Sequence, residues 1–207
     1  MNTFVRVRIM TVLALAASVT YAAACGDSPT AAGRGTLAVR LTDAPFPTDS
    51  VSSVDIFVVR VDGRVADTDS AAAEQDSAGT NGWTTLATPN ISVNLLAYQN
   101  GASLPLGTAT LTEGSYHGFR LIIDPSKSSV TLKNGMVLTG TSSPNIAFPS
   151  GSRTGIKIVL TKPVEVVASD TTTMLVDFDV ANSFVLRGNT ILQNGLLFKP
   201  VVKATTQ

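Results

Sequence analysis

The 207-residue chain has one cysteine, one histidine, one tryptophan and three tyrosines, and only 14% of its residues are charged. A single thiol excludes an intramolecular disulfide and any cysteine-rich metal centre. Basic clusters are missing as well. Lys and Arg together number 15 against 15 Asp and Glu, and a product beginning at Cys25 carries 13 basic against 15 acidic groups. A slightly acidic surface of this kind argues against nucleic-acid binding. No apolar run reaches the roughly 20 residues a membrane-spanning helix needs. No helix-length periodic segment separates the apolar stretches, and no G-x-S-x-G elbow or comparable nucleophile signature occurs.

What the chain does have begins at its front. Met1–Arg8 carries two arginines, Ile9–Val19 is apolar, and Ala22-Ala23-Ala24 leads into the single Cys25. That order looks like a bacterial lipoprotein signal with its lipobox, although Tyr21 and Ala22 stand where the pattern often shows Leu. On this reading residues 1–24 are a signal peptide and Cys25 becomes the lipidated first residue. The alternative is an ordinary secretory peptide cut after Ala22 or Ala24. Lipoprotein processing places more than one acyl chain on the cysteine, enough for stable anchoring. Residues 25–34 then form a lipidated tether, whose last nine residues span at most about 30 Å. The expected location is extracytoplasmic, lipid-anchored to a bacterial membrane in the periplasm or at the cell surface, with an envelope protein or a glycan as partner and no cofactor.

From Gly35 on, short strands recur. Gly35–Thr42 alternates Leu37, Val39 and Leu41 with polar or small residues, the period-2 pattern of a half-buried strand. Val51–Val61 predicts a longer strand. Residues 62–82, with Asp62, Asp67, Asp69, Glu74 and Asp76, predict a flexible acidic loop without the spacing of a calcium loop. Further strands are expected at Trp83–Leu86, Ile91–Leu95, Leu104–Leu111, Phe119–Ile123, Gly155–Leu160, Val164–Val167 and Thr171–Val180. Leu95–Asn100 predicts a helical turn closed by Gly101. Asn134-Gly135 between Val130–Leu132 and Met136–Leu138 predicts a hairpin with a type I′ turn. Asn189–Lys203 predicts a final strand, with Pro200 at an edge or bulge. The spacing implies one all-β domain over residues 35–207, an antiparallel β-sandwich of Greek-key, immunoglobulin-like or transthyretin-like type.

Several landmarks together resemble the bacterial family catalogued as domain of unknown function 4382. They are Gly35-Thr36-Leu37 with Leu41-Thr42-Asp43-Ala44-Pro45, then Leu95–Gly101 and Gly114-x-Tyr116-x-x-Phe119-Arg120-Leu121. Pro149-Ser150-Gly151 with Gly155-x-Lys157, Asp177-Phe178-Asp179 with Ser183, and Leu197-x-Lys199-Pro200-Val201 follow. The resemblance spans roughly Gly35–Ala204. It implies an extracytoplasmic β-sandwich, often on lipoproteins, and brings no established catalytic or binding residues.

The residues open to chemistry are few. Asp177 and Asp179 flank Phe178 on an expected strand and share one face, about 6 to 7 Å apart, so a hard cation with Asp43 as third ligand is conceivable. Hydrogen bonding at a sheet end is the plainer role. His117 is the single imidazole available to a Ser-His-Asp scheme, and the alternative is an exposed or capping histidine. Trp83 and Tyr98 are candidates for a small sugar platform or for core packing. Gly114 and Tyr116 point to a fold-locking corner in which the phenol ties a turn to the sheet. The leading expectation is a non-enzymatic binding or structural module of the envelope. A carbohydrate- or peptidoglycan-binding module and a hydrolase using His117 are the alternatives.

Overall fold

A computed structural model of the chain describes residues 32–43, 50–65, 83–149 and 155–207. The expected signal peptide at 1–24, Cys25, residues 66–82 of the acidic segment and the loop following Pro149 lie outside those residues.

Alternation shapes the first strand. In β1 (Arg34–Asp43) the odd-numbered residues from Gly35 to Asp43 are buried and the intervening ones are not. The same rule buries Met174, Val176 and Phe178 of β12 (Thr171–Phe178). Between these lie β2 (Val51–Val65), β3 (Thr84–Ala87), β4 (Ile91–Asn94), β5 (Leu104–Thr112) and β6 (Gly114–Ile123). Then come β7 (Ser129–Leu132), β8 (Val137–Leu138), β9 (Ile146–Ala147), β10 (Ile156–Leu160) and β11 (Val164–Val166). The chain closes with β13 (Phe184–Leu186), β14 (Leu196–Phe198) and β15 (Val202–Thr206).

The chain is all-β. Twelve strands join in the order β5-β1-β12-β15-β10-β6-β2-β7-β8, with β3 and β4 also on β2 and β11 on β6. β10 is the link between two halves. Its residues Ile156–Ile158 pair antiparallel with β6, and Val159–Leu160 pair parallel with β15. A separate sheet runs β13-β14-β9.

The expected antiparallel architecture is corrected to a mixed one, because β1 with β12, β10 with β15 and β9 with β14 are parallel. Period-2 patterning tells which face of a strand is buried and says nothing of its neighbour's direction. Three local expectations also change. β2 runs on to Val65, so Asp62 belongs to a strand and is 1% exposed. β12 stops at Phe178, where Asp179 caps a one-turn helix at Val180–Ser183. The hairpin at Asn134 is not type I′, because Gly135 (φ +85°) has positive φ and Asn134 does not. Gly135 N–H donates to Leu132 O and Leu132 N–H to Met136 O, which makes a three-residue loop with a glycine bulge.

The registers give the domain two ends. Strand β1 spans ten residues, about 33 Å. At its start, Glu113 N–H donates to Gly33 O at 2.8 Å and Glu113 Oε1 accepts from Gly33 N–H at 2.9 Å. A Cβ on Gly35 would collide with the Val167 carbonyl, so glycine is what lets β1 approach the segment after β11. At the other end of β1 lie Asp43, the 3-10 turn Leu95–Tyr98 and the small sheet. There Phe198 packs against Phe148, Phe178 and Phe184 at ring-centroid distances of 5.1, 6.2 and 5.1 Å. Most of the buried side chains form one continuous core between these ends.

Candidate functional site

The lone histidine lies on β6, beside β11. Ser115 of β6 stands directly opposite Glu165 of β11, and His117, two residues on, shares the face of Ser115. The Ser115 hydroxyl donates to Glu165 Oε1 at 2.7 Å, which leaves its oxygen to accept from His117 Nε2–H at 3.0 Å. A hydrolytic triad needs the imidazole in the middle, taking the serine proton while a carboxylate steadies its far nitrogen. Here the serine is in the middle and the carboxylate already holds its proton. His117 is exposed. The row therefore ties β6 to β11. Ser115 and Glu165 are 50 residues apart, and nothing in their local sequence marks the pair.

Gly114 and Tyr116 form the corner at which the chain leaves the half containing β5 and enters the half containing β6. Gly114 has φ +145°, a conformation costly for any residue with a Cβ. Tyr116 is buried and its hydroxyl donates to the Thr112 carbonyl at 3.1 Å, spanning the turn. Burial pushes its phenol above the ordinary range.

Asp43, Asp177 and Asp179 end on neighbouring segments but on different faces. Asp43 lies opposite Phe178 and shares its buried parity, while Asp177 lies opposite Thr42. Asp43 accepts from Val180 N–H at 3.2 Å and from Gln99 Nε2 at 3.1 Å. Asp179 accepts from the backbone and side-chain amides of Asn182 at 3.1 and 2.8 Å. Among the described residues no group of three or more His, Cys, Asp or Glu side chains is placed to hold a metal ion. Desolvation by burial pushes the Asp43 carboxyl up to about 6, helped by the charges of Asp177 and Asp179 and opposed by its two hydrogen bonds.

Trp83 and Tyr98 are not brought together. Trp83 adjoins Thr84, opposite Gly63 on β2, whereas Tyr98 follows Asn94, opposite Asp55. Those positions are about 25 Å apart along the strand. Tyr98 packs against the core, and Trp83 lies under the Arg120 guanidinium, 4.5 Å from ring centroid to Cζ. Arg120 in turn donates to Asp62 at 2.9 Å. Arg60 reaches the same carboxylate at 3.0 Å, and the Thr85 hydroxyl does so at 3.1 Å. This cluster was hidden in the sequence because Asp62 opens a run of acidic residues that reads as solvated.

The geometry thus defines a class: an all-β domain of mixed sheets whose charged and hydroxyl groups join one strand or turn to another. Within that class the chain belongs to the family described as Domain of unknown function (DUF4382), whose model matches residues 34–200. No curated protein and no solved structure matches it. Among the described residues no helix is long and apolar enough to cross a membrane.

Proposed function

We propose that the chain is an extracytoplasmic lipoprotein of the cell envelope, anchored through lipid on Cys25, and that its domain is a non-catalytic binding or structural module. Its two sheet halves are read as the layers of a sandwich of Greek-key, immunoglobulin-like or transthyretin-like kind, with β10 as the strand that changes layers. The observation that carries the non-catalytic reading is the order of the Ser115 row: the serine proton is held by Glu165, so the imidazole is not its base. The anchoring reading rests on the apolar run and the lone Cys25 that follows it. Metabolic labelling with an alkyne fatty acid tests it. Label is expected on the full-length chain and absent from Cys25→Ser, which should leave the membrane fraction. Label retained on Cys25→Ser overturns the anchor.

The hydrolase alternative draws on the Ser115–His117 contact of 3.0 Å. An ester-probe screen of the full chain tests it, with Ser115→Ala as the control. Turnover that disappears in the variant replaces the non-catalytic reading. The glycan alternative needs an aromatic surface, and Trp83 is occupied by Arg120. Flat tryptophan fluorescence across a glycan panel counts against that alternative.

A further inference from the structure

The Asp43 end of the domain contains two adjoining hollows. The inner one, about 140 Å³, is lined wholly by apolar side chains, among them Val54, Val130, Phe184 and Leu196. A cavity of about 150 Å³ walled by aliphatic and aromatic groups stays dry and accepts a benzene-sized guest. Ile191 lines this hollow and also an outer groove of about 370 Å³. The groove is mixed: Ser50, Thr190, Asn134 and Lys133 line it together with Leu132, Ile191 and Leu192. Lys133 is exposed and, among the described residues, takes part in no ion pair. Among the described residues no carboxylate lines either hollow. Leu186 of the inner hollow and Leu192 of the groove are 44% and 51% exposed.

An apolar chamber of this size next to hydroxyls, an amide and a lysine cation is complementary to a small molecule with an apolar tail and a negative head. We propose that the two hollows bind an amphipathic monoanion, an unbranched aliphatic carboxylate whose tail fills the inner chamber and whose head meets Lys133. The tail length follows from the volume: about six carbons fill a benzene-sized chamber. Longer tails meet the wall or turn back to solvent. This deepens the binding-module reading and rests on it.

Calorimetric titration of the full chain with butanoate, hexanoate and decanoate tests the proposal, with hexan-1-ol and hexylammonium for comparison. Affinity should rise about fourfold for each CH₂ from butanoate to hexanoate, as expected for buried methylene groups, and should not rise further at decanoate. Hexylammonium should bind at least tenfold more weakly than hexanoate. Lys133→Glu, in the exposed hairpin loop, should reverse that order and leave hexan-1-ol unchanged. Leu186→Trp should block all three six-carbon probes, with methyl shifts at Val54 and Val130 in the parent chain as the readout if that variant misfolds. Absence of saturable heat with hexanoate, a steady gain through decanoate, or a charge preference untouched by Lys133→Glu each overturns the site. Fatty-acid labelling of Cys25 is independent of this hollow, so failure here with labelling intact removes the ligand and leaves the anchored module standing.

Discussion

Asp43 and Asp62 are both strand residues and both buried, at 3% and 1% exposure, yet the protein accommodates them in opposite ways. Asp62 lies between two arginines and a threonine hydroxyl. Among the described residues Asp43 has neutral donors, a backbone N–H and a glutamine amide, and two further carboxylates nearby. Removing a carboxylate from water costs several kcal/mol, and either a cation or proton uptake can offset that cost. The first solution clamps two strands through ion pairs. The second makes a carboxyl that takes up a proton readily.

The sharpest way to break the contrast is Asp62→Ala, which takes the carboxylate away from Arg120, a guanidinium side chain only 16% exposed. A loss of about 3 kcal/mol is expected in urea denaturation, and a loss under about 1 kcal/mol would mean that the two arginines are hydrated without Asp62. Asp43→Asn should act in the opposite direction at neutral pH. The folded carboxyl titrates at about 6 against an ordinary 3.8, so between those values the folded state binds more protons than the unfolded one. Its contribution is therefore fully present below the ordinary value of 3.8 and is lost as pH rises through about 6. The stability of the wild type relative to the Asp43→Asn variant should fall by about 2 to 3 kcal/mol between roughly pH 4 and pH 7.5. A flat difference would place Asp43 in water.

Smaller changes calibrate the pair. Tyr116→Phe touches neither carboxylate and should cost about 1 kcal/mol through the lost bond to Thr112; an unchanged melting temperature would show that water replaces it. Trp83→Leu removes the ring beneath Arg120 and should cost about 0.5 to 1 kcal/mol. In a double-mutant cycle the Trp83 effect should shrink in an Asp62→Ala background and stay constant in Asp43→Asn.

Much of the strand content was legible because alternation is local. Leu37, Val39 and Leu41 announce β1 unaided, and Gly114 with Tyr116 announces the corner. Sheet direction was not legible, since the partner of β1 lies at the far end of the chain. Asp62 illustrates the same limit for charge. It opens an acidic stretch that suggests solvent, and although Arg60 stands two residues before it, the second arginine that holds it comes 58 residues later. Asp43, Asp177 and Asp179 lie where β1 and β12 end, and which face Asp43 and Asp177 present depends on the parallel register of β1 and β12. The hairpin at Asn134 shows that even a strong dipeptide signal fixes a reversal without fixing its loop length. Ser115, Glu165 and the hollows around Ile191 are products of tertiary placement alone.

The pairing of Thr36 with Thr171 has a consequence in time. Strand β1 can join β5 once residue 112 has emerged, but its second neighbour is among the last strands of the chain. Until then one edge of β1 stays open, a row of unsatisfied donors and acceptors able to pair with another molecule. Chain emergence at roughly 5 to 20 residues per second leaves that edge exposed for seconds. Chains cut short before residue 171 should therefore aggregate through β1.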